Sequence, residues 1–274
     1  MADGEHAPFL SVVIPAFNEA ARLPGTLTKL RAYLDRQPHA AEVLVIDDGS
    51  ADTTARLTDT WASEWPALRV IAMRHGGKGH AVRAGLLAAS GAYVFVCDAD
   101  LSMPISELSR LMHVASDGAD IVIASREGPG ARRYAEPLYR HLMGRAFNAF
   151  VRWAVLPDIQ DSQCGFKLFR GDLARALAGI QTINGWGFDV ELLGIARRCG
   201  ARIVEVPVAW YYARNSRIRP LHDAWHMAHE VLAVRRNLER GAYHLSGMRD
   251  VNASPCDRGP HAVAPTPTIT PAGE

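Results

Sequence analysis

No stretch of the 274-residue sequence supplies the roughly 20 consecutive apolar residues that a membrane-spanning helix needs. Residues 1–8 are polar and lack the apolar segment of a signal peptide. Both absences predict a cytoplasmic chain whose contact with a membrane is peripheral. Cysteine is scarce. Cys97, Cys164, Cys199 and Cys256 stand far apart without metal-ligand spacing, which predicts free thiols in a reducing compartment. Charge of one sign is also lacking. A formal net charge of +1 provides no general field for nucleic acid. Finally, no Gly-x-Gly-x-x-Gly turn follows the first apolar run and no P-loop spacing occurs. A dinucleotide-dependent dehydrogenase and a P-loop enzyme are therefore set aside.

What is present is a repeated pattern of short apolar runs that end in acids or glycines. Tyr93–Cys97 is rich in β-formers and stops at Asp98-Ala99-Asp100. Leu10–Ile14 ends at Pro15 and the loop Ala16-Phe17-Asn18-Glu19. Glu42–Ile46 ends at Asp47-Asp48-Gly49-Ser50. Leu68–Met73 leads into His75-Gly76-Gly77-Lys78-Gly79-His80. Between these runs lie helical spacings, such as Leu23, Leu27, Leu30 and Leu34 after an early Pro24. Strands alternating with helices predict a parallel, doubly wound sheet whose ligand crevice lies at the C-terminal strand ends. Asp98 and Asp100, two apart, would point the same way on an extended backbone and could hold a divalent cation. The glycines of the 76–79 turn suit either a tight turn or a phosphate-facing loop. Lys78 between them favours phosphate.

Farther along, the pattern predicts a helix over Ile105–Ala115, a strand over Ala119–Ala124, a loop over Glu127–Arg133 and a helix over Leu138–Val155. That last helix mixes Leu142, Phe147, Phe150, Val151 and Trp153 with Arg140, Arg145 and Arg152. It reads either as a helix packed on the sheet or as a basic, aromatic helix at a membrane surface. A helix is expected to open at or after Asp189, which reads as its N-cap or as an acceptor-side group. Ile203–Trp210 reads as a late strand, followed by Arg214, Arg217 and Arg219, and His222–Arg236 as a helix. Cys164 and Phe166 read as core. Lys167 beside them either acts on a ligand or pairs with an acid. Acids at two strand ends, a basic glycine turn and arginines together suit a nucleotide diphosphate bridged by a metal ion.

Several motifs are similar to those of the inverting GT-A glycosyltransferases of family two: Ser11-Val12-Val13-Ile14-Pro15-Ala16-Phe17-Asn18-Glu19, Ile46-Asp47-Asp48-Gly49-Ser50 and Asp98-Ala99-Asp100. Asp161–Phe169, containing Gln163-Cys164-Gly165-Phe166-Lys167, and Gly187–Leu193 resemble the dolichyl-phosphate glucosyltransferase branch and other polyprenyl-phosphate hexosyltransferases. The resemblance spans about Leu10 to Tyr243. It implies a Rossmann-like, mixed and mainly parallel sheet flanked by helices, in one domain over 9–244 with a C-terminal helical extension. A flexible 1–8 would precede it and a disordered Pro/Ala/Thr-rich tail, 245–274, would follow.

The resemblance further implies a UDP-sugar donor, a polyprenyl or dolichyl phosphate acceptor, and Mg²⁺ or Mn²⁺ held by Asp100 and Asp98. It places the nucleotide sugar on Pro15, Phe17, Glu19, Asp47, Asp48, Lys78, Asp98, Ala99 and Arg217, and the acceptor phosphate on Arg126 and Arg140, with Asp189 as base or orienter. Three positions depart from the usual pattern. Arg217 stands where a lysine is usual, Phe17 where tyrosine is frequent, and Ser102 where mannosyl synthases have glutamine, which disfavours GDP-mannose. Peripheral membrane contact would run through the 138–156 helix. The competing expectations are a transferase of the same fold acting on a soluble hydroxyl, which would need Asp189 as base, and a non-catalytic nucleotide-sugar-binding protein.

Overall fold

In the computed structural model, which describes residues 7–212 and 220–243, a seven-stranded sheet carries helices on its faces. The strands are β1 (Leu10–Ala16), β2 (Ala41–Asp47), β3 (Leu68–Ala72), β4 (Tyr93–Val96), β5 (Ile121–Ser125), β7 (Lys167–Arg170) and β8 (Ile203–Pro207), in the order β3-β2-β1-β4-β7-β5-β8. A two-stranded parallel ribbon joins β6 (Arg132–Tyr134) to β9 (Ala209–Tyr211). The helices are α1 (Leu23–Leu34), α2 (Thr54–Glu64), α3 (Lys78–Ala88), α4 (Glu107–Ser116), α5 (Leu138–Ala154), α6 (Gly171–Ile180), α7 (Phe188–Arg198) and α8 (Pro220–Glu239). Expectations placed on Arg217 and on the 245–274 tail fall outside the described residues.

The central strands are buried on both faces, which explains why they read as continuous apolar runs rather than alternations. Helix α1 turns Leu23, Leu27, Leu30 and Leu34 inward from one stripe. Helix α3 approaches the sheet most closely at Gly85, where a Cβ would lie 2.2 Å from Val13 Cγ1. That glycine is a packing requirement.

The mixed, mainly parallel sheet that the resemblance implies is the one that forms: β7 pairs antiparallel with both β4 and β5, and the other pairings in this sheet are parallel. An antiparallel strand starts where its neighbours end. Lys167, the first residue of β7, is therefore in register with Val96 and Ile123, at the edge where the acids gather. The late strand differs from expectation. It breaks after Pro207, where Val208 N donates to Ser125 O, and the chain then leaves the main sheet to form β9. The 127–133 stretch contributes β6, and Arg133 bonds Glu127 and Glu136 there. No helix among the described residues is long and apolar enough to cross a membrane.

Candidate active site

The C-terminal ends of β1, β2, β4 and β5 converge with the start of β7 and the first turn of α7. Asp98 and Asp100 do not share an extended backbone. Strand β4 stops at Val96, and Leu101 N donates to Asp98 O, closing a turn with Leu101 at φ +42°. Thr26 of α1 ties that turn down by donating to Ala99 O at 2.7 Å. The two acids consequently take different partners. Asp98 Oδ1 lies 2.7 Å from Lys78 Nζ, and its Oδ2 presses on Gly165, where a Cβ would come within 2.3 Å. Asp100 Oδ1 accepts from Ser102 N and Oγ, and its Oδ2 faces Arg22 Nη1 at 3.8 Å. Arg22 is itself clamped by Glu19.

Lys78 sits in an aromatic and acidic cage. Its Nζ is 5.1 Å from the Trp186 ring centroid and 6.0 Å from that of Phe188. Burial works against its charge, but Asp98, Asp189 and Asp100 outweigh burial and hold its pKa above the usual lysine value. Asp189, in the first turn of α7, is buried and bonded through Oδ1 to Lys167 Nζ at 2.8 Å. Burial raises its pKa against the pull of Lys167 and Lys78. Lys167 also donates to Cys164 O at 2.6 Å and is only 3% exposed, so of its two expected roles the structure gives it the pairing with an acid. Cys164 is core, 3.5 Å from Met103 Sδ. Asp189 is not the cap of α7, because Gly187 occupies that position.

The glycine turn differs from a phosphate cradle. Gly76 N and Gly77 N both donate to the Asp48 carboxylate at 2.9 Å. Gly79 N and His80 N donate to Gly185 O and Asn184 O. The backbone donors of Gly76, Gly77, Gly79 and His80 are thus engaged by the protein, and the Lys78 side chain faces the acids. Gly77 is required twice over, by its φ of +106° and by Asn184 O, which would lie 2.6 Å from a Cβ. Asp48 is spent holding this turn and His75 Nδ1, at 2.8 Å. Asp47 accepts from Ser50 N and Oγ. The Pro15–Glu19 loop is laced to the next turn by Asn18 N to Ser50 Oγ and Glu19 N to Thr54 Oγ1, each 2.8 Å. Phe17 and His75 stack at 4.2 Å, forming a half-exposed aromatic shelf beside Asp47 and Asp48.

Two arginines line the other half of the edge. Arg126 follows β5 and is held bidentately by Asp161, Nε at 2.7 Å and Nη2 at 2.8 Å, with its guanidinium 5.4 Å from the Trp210 ring. Arg140 of α5 lies 5.3 Å from the Tyr212 ring. Residues 210 and 212 are two apart at the end of the β6–β9 ribbon, so one extended face presents both arginines. Asp161 is fixed in turn by Glu205, which accepts from its backbone N–H. The structure therefore gathers Asp98, Asp100, Lys78 and Asp189 in one cluster, Phe17, Glu19, Asp47 and Asp48 in a second, and Arg126 and Arg140 in a third. Sequence reasoning did not single out His75, Arg22 or Trp186. Their only signal was position, immediately before the glycine turn, three residues after Glu19 and between two glycines.

Known proteins share this sequence pattern and this fold. Residues 11–177 match the family model described as Glycosyl transferase family 2. The dolichyl-phosphate beta-glucosyltransferase of Dictyostelium discoideum is 32% identical over 244 residues, covering 83% of this chain and 74% of that protein. Among solved structures, the glucosyl-3-phosphoglycerate synthase of M. tuberculosis superimposes with a TM-score of 0.61 at 25% identity, covering 88% of this chain and 83% of that one. The same synthase crystallised with Mn²⁺, UDP-glucose and phosphoglyceric acid gives a TM-score of 0.60 at 24% identity, over 88% and 82% of the two chains, and has the same fold.

Proposed function

The chain belongs to glycosyl transferase family 2 and is a glycosyltransferase, and on that premise we propose that it moves a hexose, glucose by preference, from a UDP-sugar to a polyprenyl or dolichyl phosphate. The observation that carries this reading is the state of Asp189. An acceptor hydroxyl needs a base, and the acid at this position is buried with Lys167 Nζ on its oxygen. An acceptor phosphate is already anionic and needs positioning rather than deprotonation. Arg126 and Arg140, carried on one face of the aromatic ribbon, supply that positioning.

The residues present suit a divalent cation. Among the described residues no three His, Cys, Asp or Glu side chains are grouped to hold a metal alone. One or two carboxylates completed by ligand phosphates are the usual donor set for Mg²⁺, and Mn²⁺ also suits carboxylate oxygens. Asp100 would hold the ion through Oδ2, with Asp98 kept back by Lys78 and Gly165. An ion bound there would neutralise charge on a departing diphosphate. Lys78, beside Asp98, would meet the same charge. Phe17 and His75 offer a face to the base, and Asp47 and the Pro15–Glu19 loop line the nucleotide edge. An acceptor phosphate oxygen attacks the anomeric carbon, the bond to the diphosphate oxygen breaks, and the configuration inverts. Asp189 keeps Lys167 in place and adds its charge to those that hold Lys78 as an ammonium. The test is a panel of UDP- and GDP-sugars against short polyprenyl phosphates and soluble alcohols, with and without Mn²⁺. The expected result is metal-dependent transfer from UDP-glucose to the phosphates. Transfer to alcohols alone would sink the reading.

Helix α5 adds a lipid surface to this proposal. Its first turns leave Leu138 72% exposed and Tyr139 and Leu142 each 58% exposed, next to the stacked, outward-facing Tyr134 and Tyr211. Such a patch, with Arg145 exposed one turn on, suits the interface of a bilayer rather than bulk water. Replacing Leu138 and Leu142 together by Ser is expected to reduce sedimentation with anionic liposomes at least about tenfold, given ~1.5–3 kcal/mol per buried leucine. Transfer to a short, soluble polyprenyl phosphate should be unchanged. Equal sedimentation of variant and parent would place the membrane contact elsewhere.

A further inference from the structure

The Lys78 cage is assembled by a residue outside the cluster. Helix α8 packs Val231 and Val234 into the core and sends Glu230 to the start of α7. Its Oε2 accepts from Gly187 N at 2.7 Å, so a carboxylate of one helix caps another. Both glycines of the 184–187 loop lie directly against the Glu230 side chain. A Cβ on Gly185 would stand 1.9 Å from Glu230 Oε1, and one on Gly187 would stand 2.7 Å from Glu230 Cβ. Seated this way, the loop turns its Asn184 and Gly185 carbonyls onto His80 N and Gly79 N, at 3.1 and 3.2 Å. Between those carbonyls and the Glu230 bond lies Trp186, whose ring faces Lys78 Nζ.

We infer that Glu230 is a positioning residue for Lys78: it seats the 184–187 loop, and that loop both caps the first turn of α3 and lays Trp186 against the lysine. Glu230 touches neither the acids nor Lys78. It acts through the loop backbone. In Asn-Gly-Trp-Gly the large ring thus stands between two glycines that Glu230 packs against. It also couples α8, the helix that resumes the described chain after Tyr212, to the cation of the site. Only the expected effect on UDP rests on the donor assignment made above.

The experiment compares Glu230→Ala with Glu230→Gln in the full chain. Glutamine retains an acceptor oxygen and alanine does not. Hydrogen exchange requires no ligand. In the alanine variant, amides of 76–80 and 183–188 should exchange roughly tenfold faster, as expected for loss of a charge-assisted bond, with β1 and β4 unchanged. The glutamine variant should stay within about twofold of the parent. Calorimetric binding of UDP with Mg²⁺ should weaken roughly tenfold for alanine, and Glu230→Ala should add no further loss in a Lys78→Met background. Unchanged exchange at 76–80 overturns the inference. So does equal damage from glutamine, or a full additional loss without Lys78. If the parent chain fails to bind UDP, the donor assignment falls, while the exchange measurement still decides the role of Glu230.

Discussion

Lys78→Met is expected to lower kcat/KM for transfer roughly 100- to 1,000-fold, the scale on which one preorganised charge aimed at a reacting group acts. The cluster holds four acids, Asp98, Asp100, Asp189 and the Glu19 that clamps Arg22, against three cations, Lys78, Lys167 and Arg22. Removing Lys78 takes it from one negative charge in excess to two as an anionic diphosphate arrives. The donor is then repelled, and the departing diphosphate loses a cation that needs no reorganisation. Because its acidic neighbours hold the Lys78 pKa above the ordinary lysine value, the ammonium stays charged at any working pH. The activity should therefore show no alkaline limb from this residue below pH 10 or so. Stability should change little, since Asp98 is about a third exposed and water can replace the lost partner. Lys78→Arg should recover only part of the rate, because a planar guanidinium does not fit a cage built around a compact ammonium. Steady-state transfer from labelled UDP-glucose to a short polyprenyl phosphate measures the effect. A loss below threefold would remove Lys78 from the reaction.

Much of this site is legible in the sequence because parallel sheets force chemistry to one edge. Once apolar runs alternate with helical spacings, Asp47, Asp48, Asp98, Asp100 and the glycine turn must share a rim. Hidden from the sequence is how each polar group spends its hydrogen bonds. Asp48 and the glycine turn look equally available to a ligand, yet Gly76 N and Gly77 N close on Asp48, and Gly79 N and His80 N close on residues 184–185. That partner loop lies about a hundred positions away, and no local pattern announces it. The direction of β7 was equally invisible. Lys167-Leu-Phe-Arg is a four-residue run with no alternation, and its orientation is set by neighbours at Val96 and Ile123. The same reversal explains Lys167. Read alone, a lysine after Cys-Gly-Phe suggests ligand contact. Placed at the start of an antiparallel strand, it is buried against Asp189. The Asp98–Asp100 pair differs for a local reason, since β4 ends one residue before Cys97 and the acids lie on a turn.

The second large effect belongs to Asp161, and it separates stability from function. This carboxylate is fully buried and accepts three bonds from Arg126, two from the guanidinium and one from the backbone. Burial alone would raise its pKa, but the attraction and hydrogen bonds of Arg126, with Lys167 behind, bring it down to about 2. In the unfolded chain an aspartate titrates near 3.9, so on acidification the unfolded state takes up this proton first. The stabilisation is then fully present above about pH 4 and disappears as pH falls through about 2, an amount of about 2–3 kcal/mol. Asp161→Asn should show less of that loss between pH 4 and 2 in urea melts, starting from a lower plateau at pH 7. Asp161→Ala should be worse, by ~3–5 kcal/mol, because it strands a largely buried guanidinium. Adding Arg126→Ala to that variant should restore part of the stability, since deleting both members of a buried pair is milder than deleting one. It should restore no activity. If Arg126 holds the acceptor phosphate, the double variant keeps its KM for UDP-glucose while its KM for polyprenyl phosphate rises at least about tenfold, the cost of a lost bidentate charge contact. If the double variant regains both stability and acceptor affinity, Arg126 is a structural residue and the acceptor phosphate is held by Arg140 without it.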